Sequence, residues 1–192
     1  MRRLAKDENY LRLIRVRDAV LEREGAIFAN AEKPLVDELN KHSKYRIKSV
    51  DDLVNSKDKY PELVPTLLKH LDRDYPPAVR EFIARALAVP AARVGWQKLV
   101  RCFVEEPAVD ADGGLNEVKW GLHLAIAAAA DLTVVDDLIR LAVDRRHGES
   151  RADFVLALAN MKDPRAIAAL EVLKEDPDLT YAIGKVFGKK KK

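Results

Sequence analysis

The side chains able to do acid–base, nucleophilic or metal chemistry stand far apart in this chain. Four histidines, His42, His70, His123 and His147, are widely spaced, and none has another histidine or a cysteine three or four positions away. Zinc takes three or four ligands converging from such spacings, so the pattern predicts no metal centre. The single cysteine, Cys102, lies on the apolar stripe of its helix beside Phe103, where a thiol serves as a small hydrophobe rather than a nucleophile. The acidic stretch Asp110-Ala111-Asp112-Gly113-Gly114 resembles the start of a calcium loop, but its fifth and twelfth positions are Gly114 and Gly121. Calcium requires oxygen ligands there. A DxD metal–nucleotide site would follow a strand, which the pattern does not provide, so this stretch reads as a solvated loop. The carboxylate pairs Asp51/Asp52, Glu105/Glu106 and Asp136/Asp137 point about 100° apart on a helix and do not face a common substrate. Glycine-rich phosphate loops, nucleophile elbows and HExxH patterns are missing from the sequence. The expectation is a chain with no cofactor, no metal and no catalysis.

A recurring cation is more informative. Arg80, Lys119 and Arg151 each precede an Ala-(Leu/Ile)-Ala triplet by six residues, at intervals of 39 and 32. Stacked repeats would align these cations in a row. Two readings stand: a basic ladder on the concave face that binds a partner, or ion pairs with acids of a neighbouring repeat such as Asp72 and Asp144. Trp120 occupies the position of Glu81 and Ala152 in the other copies. It is either an interface anchor or packing beneath the 107–114 loop. Trp96, ahead of an apolar stripe, is expected to be buried. Arg80, Lys119, Trp120 and Arg151 are therefore the candidate partner contacts.

Helices must position these residues. Leu63, Leu67, Leu68 and Leu71 recur at three- and four-residue spacing, and Val135, Leu138, Ile139 and Ala142, and Ile167, Leu170, Val172 and Leu173, read the same way. Convincing period-two alternation is absent, so the chain reads as all-α. The helices fall into pairs, with proline at helix starts in Tyr75-Pro76-Pro77 and Asp163-Pro164. A degenerate fourth copy ends Ala182-Ile183-Gly184-Lys185 and has Asp176 in place of the cation. Residues 1–59 fit the repeat less well. A helix from Glu8 to about Phe28 carries Leu13, Val16, Val20 and Ile27 on one stripe, with Tyr10, Ile14 and Leu21 beside it. A second, shorter helix is expected from Pro34 to about Lys41, and Ser49-Val50-Asp51-Asp52 should open another. This region reads as an end cap, with a dimerisation helix as the alternative.

These residues resemble HEAT repeats, in particular the short HEAT-like repeats of phycobilisome lyases. Ala157-Leu158-Ala159-Asn160-Met161-Lys162-Asp163-Pro164-Arg165-Ala166-Ile167 matches most closely. The resemblance covers residues 60–188 and extends to uncharacterised bacterial HEAT-repeat proteins. It implies a right-handed α–α superhelix of four helix pairs, continuous with a cap at 1–59 and followed by a basic, disordered tail at 189–192. It implies little about activity. HEAT-repeat alkylpurine DNA glycosylases offer an enzymatic analogy at the level of the repeat only.

Composition narrows the function classes. The 192 residues are 48% hydrophobic and 34% charged, sufficient for a packed core and unlike a disordered polymer. The formal net charge of +3 conceals +4 over residues 1–50, −5 over 51–188 and +4 over Lys189–Lys192. A broadly basic nucleic-acid-binding body would not look like this. The start Met1-Arg2-Arg3-Leu4-Ala5-Lys6-Asp7-Glu8 runs into charge where an export signal needs an apolar stretch, and no window suits a bilayer span. With one cysteine, the expected setting is the reducing cytoplasm. The expected role is a scaffold binding a protein or peptide on its concave face. Nucleic-acid binding, with the basic row on the concave face holding the phosphate backbone, is the alternative, and a lyase-like or glycosylase-like enzyme comes third.

Overall fold

The computed structural model describes residues 8–54, 56 and 60–188, and within them every regular element is helical. The anticipated lysine tail at 189–192 lies outside the described residues. In chain order the α-helices are α1 (Glu8–Leu39), α2 (Asp51–Val54), α3 (Val64–His70), α4 (Pro77–Ala86) and α5 (Trp96–Glu105). They continue with α6 (Glu117–Ala129), α7 (Val135–Val143), α8 (Ala152–Met161), α9 (Pro164–Leu173) and α10 (Thr180–Phe187). Short 3₁₀ turns precede α3, α5, α7, α8 and α10.

One expectation fails at the N-terminus. Instead of two helices, α1 runs unbroken through Pro34. A proline inside a helix costs roughly 3 kcal/mol through its missing N–H and its clash with the preceding turn. Here Pro34 and Asn30 both face solvent, so water can reach the backbone carbonyl that loses its partner. Packing on either side holds the helix together: Phe28 and Ala31 before the proline, and Leu35 and Leu39 after it, face the body of the protein. The buried Glu32 carboxylate accepts from the Val50 N–H at 2.8 Å and from Ser49 Oγ at 3.1 Å. It thereby fastens α1 to the turn that opens α2. Burial pushes the Glu32 carboxyl up from its ordinary pKa, and these donors oppose that shift.

Local chemistry sets the helix starts. Asn116 caps α6 by accepting from the Lys119 N–H at 3.0 Å, and Asp163 caps α9 by accepting from the Arg165 N–H at 2.8 Å. Lys162, at φ 54°, takes the left-handed position that ends α8 just before Asp163-Pro164.

From α4 onward the second helix of each pair packs against the next: α4 on α6, α6 on α8 and α8 on α10. The first helices pack behind them, α5 on α6, α7 on α8 and α9 on both α7 and α8. Phe103 and Phe154 meet edge to face at 5.3 Å in the centre of this core, both fully buried. Trp96 is buried as expected, and its indole N–H donates to Asp137 at 2.9 Å. Cys102 is buried, and desolvation raises its thiol pKa.

Gly121 allows α4 and α6 to approach closely. A Cβ at Gly121 would lie 2.9 Å from the Ala84 Cβ and 3.0 Å from the Glu81 carbonyl oxygen. Gly184, inside α10, meets nothing within 4 Å. The two sites therefore respond oppositely to one methyl group. Gly121→Ala should destabilise the protein by about 1–2 kcal/mol through overpacking. Gly184→Ala should stabilise it by up to about 1 kcal/mol through helix propensity. Denaturant midpoints of the two variants check both signs.

Candidate functional site

The recurring cations do not form an exposed ladder. Lys119 is only 1% exposed and Arg151 is fully buried, which removes both from the candidate contact surface. The reason lies in helix geometry. The last carbonyls of an α-helix have no partner within it, and each of these cations reaches back to supply donors. Lys119 Nζ donates to the carbonyls of Phe103 (2.8 Å) and Glu106 at the end of α5, and sits 4.4 Å from the Phe103 ring centroid. Arg151 Nη1 donates to the Ala142 carbonyl at the end of α7 (3.1 Å), and Nε donates to the Gly148 carbonyl (2.7 Å).

Each cation also faces an acid of the following repeat. Arg80 Nη2 pairs with Glu106 Oε2 at 2.5 Å, and Arg151 pairs with Asp176 at 2.8 Å and Asp178 at 3.1 Å. Lys119 feels the charges of Glu106 and Asp144. Burial lowers the Lys119 pKa; the Arg151 hydrogen bond holds the Asp176 carboxyl below its usual range. Of the four candidates, Arg80 is partly exposed but committed to Glu106. Trp120, 37% exposed, alone presents an open surface.

Trp120 borders a groove across the second helices. Three hollows of about 480, 330 and 600 Å³ run in sequence. The first two share Ala88 and Leu124, and the last two share Asp153. The floor is built from small, half-buried side chains, including Ala88, Ala127, Ala128 and Ala157. In each Ala-(Leu/Ile)-Ala triplet the middle residue (Leu87, Ile126 or Leu158) is fully buried, while at least one flanking alanine remains half-buried on the surface. Trp120 stands with the Arg85 guanidinium 5.8 Å from its ring centroid. Beyond it, the third hollow is lined by Leu115, the exposed ring of Tyr181, and the carboxylates of Glu149, Asp153 and Asp178.

Asp153 is anchored from below. Its Oδ2 lies 2.7 Å from His123 Nε2, and that hydrogen bond holds its pKa below the usual carboxylate range. An ionised carboxylate accepts, so the Nε2 carries the proton. His123 Nδ1 is buried without a hydrogen-bond partner, and a ligand in the groove cannot reach it. The pair thus holds a carboxylate in place and lacks the outward-facing imidazole nitrogen of a hydrolytic dyad. The Asp110 carboxylate is likewise occupied, accepting the Asp112 and Gly114 N–H groups of its own loop at 3.0 and 2.7 Å.

Sequence reading found Trp120 but missed the acidic hollow. Glu149, Asp153 and Asp178 carry no shared motif and meet only through packing of α8 against α10. The alanine triplet was visible as a repeat marker, though not as a groove floor. No family model matches the chain, and neither a curated protein nor a solved structure matches it.

The Arg151–Asp176 pair generates a stability prediction. Asp176 has a depressed folded pKa, so its contribution is complete above the ordinary aspartate value near 3.8 and fades as pH falls through the folded value. Arg151→Met should cost about 3 kcal/mol at neutral pH, because the buried Asp176 carboxylate then keeps only Arg145 at 3.4 Å and the Asp178 N–H. It should also flatten the acid limb below about pH 4, because protonating Asp176 then relieves the stranded charge. Urea titrations at neutral pH and near pH 3 measure both effects.

Proposed function

We propose that this chain is a non-catalytic, cytoplasmic scaffold: a right-handed superhelix of HEAT-like helix pairs that binds a protein or peptide partner in the groove beside Trp120. The observation that carries this reading is an exposed tryptophan on a continuous groove with a small-residue floor. Large exposed aromatics bordering apolar hollows are the usual energetic centres of protein–protein contacts. Alanine floors let a ligand backbone lie close, and a run of stacked helices presents an extended ridge of contacts.

The electrostatics favour a particular peptide. Glu149, Asp153 and Asp178 at the α8–α10 end call for basic side chains. The Trp120 and Tyr181 rings already carry the Arg85 and Lys185 cations at 5.8 and 4.3 Å, so an incoming basic group would pair with the carboxylates and displace these cations from the rings. The half-buried alanines and Leu124 call for short apolar side chains along the middle. Phosphate-backbone binding is disfavoured, because the row proposed for it supplies no free cation at Lys119 or Arg151.

Selection from a random-peptide phage library should enrich sequences mixing arginine or lysine with small apolar residues. Trp120→Ala should weaken a selected peptide at least tenfold, with an unchanged helical spectrum. Glu149→Lys, at an exposed position, should weaken basic peptides and strengthen acidic ones. Enrichment of acidic peptides, or binding indifferent to Trp120, would overturn the reading. So would tight, salt-dependent binding of mixed-sequence DNA or RNA, which points to the alternative.

A further inference from the structure

We infer that the first five turns of α1 form an antiparallel pairing surface for a second copy of this chain. This surface is separate from the groove and does not depend on its function. From Phe28 onward α1 lies against the body, where Phe28 meets Phe82 edge to face at 5.5 Å. Toward the N-terminus the helix leaves the body. Between Glu8 and Ile27 every residue is exposed except Leu11 and Ile14, which are half-buried. At 1.5 Å per residue this stretch is about 30 Å long.

Its exposed side is apolar. Leu13 is 64% exposed and Ile27 58%, and Val16, Val20 and Leu21 are also open to solvent. Leu21 lies seven residues before Phe28, and Leu35 seven after it, so the stripe that the body covers at Phe28 and Leu35 continues uncovered at Leu21. A second stripe, Leu13, Val16, Val20 and Ile27, runs beside it. An isolated helix of this length is marginal in water, because helices in proteins owe most of their stability to a packed apolar face. Nothing else among the described residues supplies that packing, so the face calls for a partner.

The charges between the stripes select the partner and its direction. Arg17 and Glu24 sit seven residues apart on the seam between the two apolar rows. In a parallel pair of identical helices, arginine would meet arginine and glutamate would meet glutamate. In an antiparallel pair, Arg17 of each copy meets Glu24 of the other, and the two-fold axis passes between Val20 and Leu21. Within the overlap, residues 14–20 carry Arg15 and Arg17 against Asp18, and residues 21–27 carry Glu22 and Glu24 against Arg23, so an antiparallel pair sets a net +1 half against a net −1 half. Arg17 now holds the neighbouring exposed Asp18 at 2.7 Å, a surface pair that costs little to exchange.

With the axis between Val20 and Leu21, residues 14–27 of the two copies overlap, about 21 Å at 1.5 Å per residue, a contact smaller than stable specific interfaces bury, so association should depend on concentration. Sedimentation velocity on the full chain, from low micromolar to several hundred micromolar, should show a monomer–dimer equilibrium. Val20→Asp should abolish the dimer without shifting the thermal midpoint of the body. Arg17→Glu and Glu24→Arg should each weaken dimerisation about tenfold, since the two-fold places every repulsive contact twice. The double variant R17E/E24R should restore it. A wild-type chain that stays monomeric throughout, or a dimer indifferent to Val20→Asp, would overturn the proposal. A dimer that neither single reversal weakens would overturn the antiparallel arrangement.

Discussion

A helix that ends inside a protein leaves carbonyls that neither the helix nor water can satisfy, and α5 and α7 both end against the core. Lys119 and Arg151 answer this from the following helix, each sending a cation into the interior to donate to those carbonyls. Burying a charge is costly unless it is paired and fully hydrogen-bonded. The acids of the next repeat, Asp144 near Lys119 and Asp176 beside Arg151, therefore belong to the same device. Arg151 thus ties backward to the end of α7 and forward to Asp176, while Lys119 holds the end of α5 within the field of Asp144.

Those ties place the second helices side by side, and the small residues on them determine what surface results. Gly121 brings α4 and α6 into direct backbone contact. The alanines of α6 and α8 leave a channel where larger side chains would leave a ridge. Trp120 sits next in sequence to the cation that does the tying. Lys119 points into the core and Trp120 outward, as neighbouring positions about 100° apart on a helix allow. Binding surface and structural tie are thus fixed by the same turn of α6.

The helical class, the pairing of helices and the turn at Asp163-Pro164 were legible because they rest on local rules: apolar periodicity, proline position and capping side chains. The division at Pro34 was misleading because proline is a strong local signal, whereas the contacts of Phe28, Ala31, Leu35 and Leu39 that override it are tertiary. The regular spacing of Arg80, Lys119 and Arg151 was plain in the sequence, but its meaning was not. A cation every thirty-odd residues looks the same whether it faces water or a carbonyl. Only burial separates the two, and burial depends on which face each helix turns to its neighbours. Glu149, Asp153 and Asp178 were invisible as a group for the same reason, since their meeting depends on how α10 closes on α8.

The position of Arg151 joins the buried stack to the open surface. Its guanidinium holds Asp176 inside the core and, from the same turn ahead of α10, Asp178 on the rim of the acidic hollow. One fully buried side chain thus fixes both the seam between two helix pairs and a carboxylate that the solvent meets.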